Sequence, residues 1–296
     1  MIELEQELRG LLSTRLQVLP DKPEENVDST LRALWSCAAG RPVSAKGAAS
    51  VAMQRLTEPQ IVELRALIER RLGGVPLAHL TGRQRFMDLE MLASAAALVP
   101  REETELLASA AIAVAQRVAN TRAPLIVDAC CGSGNVALAI ASAVPTARVL
   151  AVDLSEDAVN LARANALHLG LQRSVEFKVG DLLEPVDLPD LLGAVDLLTC
   201  NPPYISTAKV GQMQGEISEH EPRLAFDGGA LGVSVLMRLL EQAPRFLRPS
   251  GTLLFEVGKG QGPAMLRRIQ TDPRFGAAAG HEDRDGLLRV VSGTRA

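Results

Sequence analysis

The sequence predicts an α/β fold, a mainly parallel, doubly wound sheet preceded by a small all-α domain. Two observations carry this reading. From Leu125 onward short apolar runs alternate with helix-length segments, the pattern of repeated β-α units whose strands are buried on both faces. Before that, leucines recur at helical spacing and the stretches between them carry proline and glycine.

In chain order, Leu4, Leu8, Leu11 and Leu12 share one helical face, as do Leu31, Leu34, Trp35 and Ala38 behind the caps Asp28 and Ser29. Thr57-Glu58-Pro59-Gln60 is a capping box with an early proline, and the helix it starts runs through Ile61, Leu64, Ile68 and Leu72 to Gly73-Gly74. Residues 1–75 therefore read as a helical domain. Residues 76–99 lose the helical period and read as a hairpin-like linker around Phe86, Leu89 and Met91. Residues 100–296 form the sheet domain, opening on an Ala-rich helix after Pro100-Arg101-Glu102-Glu103-Thr104-Glu105. Its strands are expected at Leu125–Asp128, Arg148–Asp153, Val175–Val179, Asp196–Cys200, Thr252–Val257 and Leu287–Val291, with helices at Val136–Ala143, Glu156–Leu169, Val233–Phe246 and Gly262–Ile269.

Composition narrows the function. At 296 residues the chain can bury more than one core. A formal net charge of −4 with scattered arginines argues against a protein held mainly by a nucleic-acid backbone. Cys37, Cys130, Cys131 and Cys200 make neither a metal spacing nor a disulfide framework, which suits a reducing cytoplasmic setting. The acidic start Met1-Ile2-Glu3-Leu4-Glu5 is unlike a signal peptide, and no apolar run is long enough to span a bilayer.

In a parallel sheet, ligands bind beyond the C-terminal strand ends. Asp128, Asp153, Asp181 and Asn201 all stand at or just after such ends. Gly132 and Gly134, in Asp128-Ala129-Cys130-Cys131-Gly132-Ser133-Gly134-Asn135, would admit a ligand close to the backbone. Asp153 follows at the offset where an acid takes the hydroxyls of a ribose. Gly132-x-Gly134-x-x-Ala137 also passes for a dinucleotide fingerprint, so a nicotinamide cofactor competes with S-adenosylmethionine. Two features favour the latter: Asp128 can face an ammonium group, and Asp181 can accept from an adenine amine. Each acid alone has the bland alternative of a cap or turn residue; three at successive strand ends do not.

The stretch Leu197-Leu198-Thr199-Cys200-Asn201-Pro202-Pro203-Tyr204 ends an apolar run in an amide, two prolines and the only tyrosine. Two prolines end the strand and leave their carbonyls free to accept, and Asn201 before them is pushed to an extended conformation. This acceptor cluster beside an aromatic ring suits a planar group that donates N–H bonds, a carboxamide or an exocyclic amine. A turn-forming amide and an ordinary buried aromatic are the bland alternatives.

With that stretch included, the chain resembles the Rossmann-like class I S-adenosylmethionine-dependent methyltransferases. Among them it is similar to the HemK/PrmC glutamine methyltransferases that modify the GGQ loop of peptide chain release factors. The resemblance runs through Pro76-Leu77-Ala78-His79-Leu80-Thr81-Gly82, Pro100 to Glu105, Asn201-Pro202-Pro203-Tyr204-Ile205, Glu221-Pro222-Arg223-Leu224-Ala225-Phe226-Asp227-Gly228-Gly229 and Asp285 to Val291. It implies a methionine-side loop at Cys130, Cys131, Gly132, Ser133 and Gly134, ribose contact at Asp153, adenine contacts near Asp181 and Leu182, and Asn201 close to both cofactor and substrate. It also implies a release factor as partner, docked with help from the N-terminal domain. Three positions depart from the family pattern: Cys130 replaces the loop's usual first glycine, with Cys131 after it; Glu102 replaces a signature proline; and Leu182 stands where some members place an aromatic.

The mechanism expected is orientation of a weakly nucleophilic carboxamide. The Asn201 side-chain carbonyl and the Pro202 main-chain carbonyl would accept its N–H bonds, with the Tyr204 ring against the amide plane and Pro203 stiffening the motif. Arg101 and Glu103 would fix the helix and loop over the cofactor, and Glu256 would shape the pocket or the core. No metal site is expected, and neither nucleic acid nor membrane as a stable partner. A ribosomal-protein glutamine, a small amide or amine, and, last, DNA adenine are the alternative acceptors; a non-enzymatic binding module that keeps the fold is the alternative outside catalysis.

Overall fold

The computed structural model describes residues 2–19, 22–210 and 220–296. Helices α1 (Ile2–Arg15), α2 (Val27–Ala38), α3 (Ala45–Ala48), α4 (Glu58–Leu72) and α5 (Leu77–Thr81) share one apolar cluster, with Leu8, Leu12, Leu34, Trp35, Leu64 and Ile68 fully buried. The α2 cap is Asn26, earlier than the expected Asp28 and Ser29. Its Oδ1 accepts the Asp28 and Ser29 N–H groups at 3.0 and 3.2 Å. Asp28 thereby falls in the first turn, where a carboxylate suits the positive end of the helix. α4 begins as its capping sequence predicts, Gln60 Oε1 accepting the Thr57 N–H at 3.0 Å, and stops at Gly73.

Strands β1 (Arg83–Phe86) and β2 (Leu89–Leu92) form an antiparallel hairpin. Phe86 and Met91 are buried in the core of the large sheet. The hairpin is tied down by Asn165, which is fully buried and fully bonded. Its Oδ1 accepts the Leu92 N–H at 2.6 Å, while Nδ2 donates to the Leu92 and Ser133 carbonyls at 3.2 and 3.1 Å.

After a 3₁₀ turn (Glu102–Thr104) come α6 (Glu105–Ala119), β3 (Leu125–Ala129), α7 (Asn135–Ala143), β4 (Arg148–Asp153), α8 (Glu156–His168), β5 (Val175–Val179) and β6 (Val195–Cys200). Beyond a short helix α9 (Thr207–Val210) lie α10 (Ser234–Phe246), β7 (Leu247–Glu256), α11 (Gly262–Thr271), β8 (Phe275–Glu282) and β9 (Leu288–Arg295). The seven large-sheet strands lie in the order β5-β4-β3-β6-β7-β9-β8; the first five run parallel, and β9 inserts antiparallel between β7 and β8.

Successive strand residues point to opposite faces, and both faces are covered. Ile126, Val149 and Leu197 pack with α6, α7 and α8; Val127, Leu150, Leu198 and Leu253 pack with α10 and α11. Each such side chain contributes about 1.5–3 kcal/mol relative to exposure. That core holds the strand ends rigid enough to carry buried polar groups. Because β3, β4, β5 and β6 are parallel, Asp128, Asp153, Asp181 and Asn201 arrive along one edge. Among the described residues no helix is long and apolar enough to cross a membrane.

Candidate active site

A cavity opens along that edge where the chain order of strands reverses, between β3 and β6, the position at which open α/β sheets take ligands. Of the residues nominated from the sequence, Asp128, Cys130, Cys131, Gly132, Ser133, Asp153, Asp181, Leu182, Asn201 and Pro203 line it. Gly134, Pro202 and Tyr204 do not. Gly134 instead packs: at φ +83°, a Cβ there would lie 3.1 Å from Ala162 Cβ and Phe177 Cε1.

Asp128 is buried beneath the cavity. Its Oδ1 accepts from Thr199 Oγ1 at 2.7 Å, and its Oδ2 has no hydrogen-bond partner among the described residues. Burial, with Asp153 nearby, raises its pKa to about 7. An orphaned carboxylate oxygen at a cavity floor fits a cationic ligand group. Asp153 is held differently: Gly132 N–H and Ser155 N–H donate to its Oδ2 and Oδ1 at 2.8 and 2.9 Å, while burial pushes its pKa up. Each oxygen keeps acceptor capacity for a vicinal diol.

The loop after β3 turns through left-handed backbone at Cys130, Gly132 and Gly134, φ +56°, +53° and +83°. Cys130 therefore bears a side chain where glycine is the unstrained choice, and that side chain packs against the core on the α10 side of the sheet. Burial pushes the Cys131 and Cys200 thiols well up, which leaves them neutral packing groups. Asp181 Oδ2 accepts from Arg238 at 2.7 Å, and the carboxylate retains acceptor capacity for a ligand donor.

Asn201 donates from Nδ2 to Thr104 Oγ1 at 3.1 Å, and its Oδ1 has no partner among the described residues. The Pro202 and Pro203 carbonyls likewise accept no hydrogen bond there. Tyr204 is placed otherwise than the expected stacking face. Its hydroxyl donates to Glu103 Oε1 at 3.2 Å and the Arg289 guanidinium lies 5.9 Å from its ring centroid. Burial, with Glu256 and Glu103 nearby, holds the phenol well above its usual pKa, so it stays a donor. Arg289 also pairs with Glu103 at 3.1 Å and lies 3.6 Å from Glu256. Burial raises Glu256 to about 7 against the opposing pull of the Thr104 hydroxyl.

The partners of several residues were not evident from the sequence. Arg101, expected to fix the loop, does so through a partner the sequence did not reveal: it pairs with Glu221 at 2.7 Å, both buried, and Glu221 also accepts the Val99 N–H. This pins the Glu221–Ala225 segment beside the cavity. Gln261 holds the motif from below, donating to the Tyr204 and Gly232 carbonyls at 3.1 and 3.2 Å. Glu102, which replaces the family's proline, pairs with Arg284 and with Lys46 at 3.8 Å, tying the helical segment to the sheet. Complementary charges at these positions were the available signal, but nothing in the sequence says which pairs meet.

A family model described as a methyltransferase domain matches residues 126–220. A release factor glutamine methyltransferase of Geobacter sulfurreducens is 32% identical over 97% of this chain and 96% of that protein. The protein of the same name from Gloeobacter violaceus is 36% identical over 80% of this chain and 82% of its own length. The chain belongs to the release factor glutamine methyltransferase family. Among solved structures, human methyltransferase 10 domain containing protein shares the fold, with 16% identity, 70% of this chain and 88% of that chain covered, and a TM-score of 0.50. This family member is thus an S-adenosylmethionine-dependent methyltransferase of class I fold. Its cavity fits the cofactor: the unpartnered Asp128 oxygen suits an ammonium, and Asp153 suits a ribose.

Proposed function

We propose that this enzyme methylates the side-chain amide nitrogen of a protein glutamine, in the GGQ loop of peptide chain release factors, in the cytoplasm. The observation that carries the reading is Asn201, whose Nδ2 is engaged by Thr104 and whose unpartnered Oδ1 is thereby left to accept an N–H at the cavity wall. The names of the relatives point to the same acceptor.

The cofactor, when bound, supplies a methyl group activated on a sulfonium. The chain's own residues do the rest. Asp128 would neutralise the ammonium, Asp153 would take the ribose hydroxyls, and Asp181 Oδ1 with Leu182 would border the adenine. The loop from Cys130 to Ser133 would lie along the methionine part. A carboxamide nitrogen is a poor nucleophile because its lone pair is delocalised. Asn201 Oδ1 and the Pro202 carbonyl would accept its two N–H bonds, which orients the nitrogen and favours localisation of the pair. Pro203 stiffens this arrangement, and Tyr204 anchors it through Glu103 and Arg289. Such fixing of reactants is worth up to about 7–11 kcal/mol in the best intramolecular cases. The net reaction yields the N-methyl amide, S-adenosylhomocysteine and one proton. The helical segment 1–75 would dock the folded substrate, with 76–99 as linker and 100–296 as the catalytic domain.

The test is incubation with labelled S-adenosylmethionine and purified release factor, followed by mass spectrometry of the Gly-Gly-Gln peptide. Label on the glutamine is expected; label on another acceptor alone would refute the proposal. Asn201→Ala should abolish transfer while calorimetry still detects cofactor binding. An active Asn201→Ala enzyme would remove the assigned role.

A further inference from the structure

Asn201 is useful only if the correct end of its amide faces the acceptor, since oxygen and NH₂ are nearly equal in size and opposite in hydrogen-bonding sense. Something must choose. The structure assigns that choice to Thr104: it is the positioning residue that holds the Asn201 NH₂ away from the cavity and so turns Oδ1 toward the substrate amide. This rests on the role given to Asn201 above.

Three observations support it. Thr104 ends the 3₁₀ turn that runs directly into α6, and its side chain makes no capping bond. Its backbone is helical there, φ −71° and ψ −15°, rather than extended as in a side-chain cap. The hydroxyl of this residue, which is 2% exposed, accepts from Asn201 Nδ2.

Thr104 Oγ1 accepts from Asn201 Nδ2, so a lone pair of the hydroxyl faces Asn201 and its own proton points elsewhere. Glu256 ends β7 next to the end of β6, where Cys200 and Phe255 are paired, and both of its oxygens are buried without a hydrogen-bond partner among the described residues. Glu103, the preceding residue of the same 3₁₀ turn, takes the Tyr204 hydroxyl. One turn thus grips the motif at Asn201 and at Tyr204.

The experiment compares Thr104→Ser and Thr104→Val with the parent enzyme, measuring kcat and KM for methyl transfer, cofactor affinity by calorimetry, and melting temperature. Valine keeps the shape and removes the oxygen. Thr104→Val should lower kcat about ten- to hundredfold, the scale of a misplaced reacting group, with cofactor affinity and melting temperature nearly unchanged. Thr104→Ser should recover most of kcat. Parent-like kcat in Thr104→Val, equal impairment of both variants, or a loss confined to cofactor affinity would each overturn the assignment. Asn201→Ala separates the two levels. If it is fully active, the reading of the motif fails and Thr104 with it; if it is inactive while Thr104→Val is unimpaired, only the role of Thr104 fails.

Discussion

Gly228→Ala is the sharpest probe of how the motif is held. Gly228 lies in the Asp227–Gly229 loop that packs beside the Asn201–Tyr204 stretch: its N–H donates to the Ile205 carbonyl at 2.8 Å, and Ile205 N–H donates to the Phe226 carbonyl at 2.9 Å. A Cβ at this position would stand 2.3 Å from the Pro203 carbonyl oxygen and 2.9 Å from the Gly232 backbone. Its φ is outside the left-handed region, so alanine brings no backbone strain and the effect is steric alone. Both neighbours are backbone atoms and cannot rotate away. To regain van der Waals separation the loop and the motif must part by about 1 Å.

Two magnitudes follow. Overpacking of this kind costs about 1–3 kcal/mol of stability. A shift of about 1 Å in a substrate-orienting group costs about a hundredfold in rate. Gly228→Ala should therefore lower kcat far more than it lowers cofactor affinity, because Asp128 and Asp153 are carried by β3 and β4 rather than by the displaced loop. Transfer of label to the glutamine acceptor, calorimetric titration of the cofactor and thermal unfolding measure the three quantities. Parent-like kcat, or a loss fully explained by cofactor affinity, would refute the coupling between this loop and Asn201.

Two further outcomes are expected. Asp128 carries a folded-state pKa of about 7, above the ordinary carboxylate value, so the folded protein binds a proton there that the unfolded chain has released. Its contribution to apo stability is accordingly lost as pH rises from about 4 to about 7. A cation placed beside it favours the ionised form, so cofactor affinity should rise with pH up to about 7 and then level off. Asp128→Asn should bind weakly with no such rise, and a flat profile in the parent enzyme would count against the ammonium contact. Arg101→Ala would leave Glu221 buried without its charge partner, at a cost of about 3–5 kcal/mol; an unchanged melting temperature would show that the pair does not hold the loop.

What could be read from the sequence follows physical range. β4 and β5 run as expected, Arg148–Asp153 and Val175–Val179, because a continuous apolar run in the first and strict apolar–polar alternation in the second have few alternatives. β8 was missed. Phe275-Gly276-Ala277-Ala278-Ala279-Gly280 has no alternation to detect and is mostly exposed; it becomes a strand through edge pairing with β9. β7 starts at Leu247, earlier than the expected Thr252, since Pro249 and Gly251 discourage a strand by local rules while pairing of Leu247 with Val195 extends it. At the site, acids at parallel strand ends were legible because topology alone brings them to one edge. The partners of those residues were not. Thr104 to Asn201, Arg101 to Glu221, Asp181 to Arg238 and Gln261 to the Tyr204 carbonyl are all long-range contacts.

Those long-range contacts divide the labour of the site. The proposed cofactor side depends on β3 and β4 and on the loop that turns through left-handed backbone at Cys130, Gly132 and Gly134. The proposed acceptor side is assembled from elements that converge on Asn201-Pro202-Pro203-Tyr204: the 3₁₀ turn Glu102–Thr104, the Asp227–Gly229 loop, Gln261 and Arg289. Each holds the motif from a different side and none is long enough to be stable alone. A substitution in any of them should therefore alter turnover before it alters cofactor binding, whereas substitutions around Asp128 and Asp153 should do the reverse. The ratio of those two effects, position by position, reads out which half of the site a residue serves.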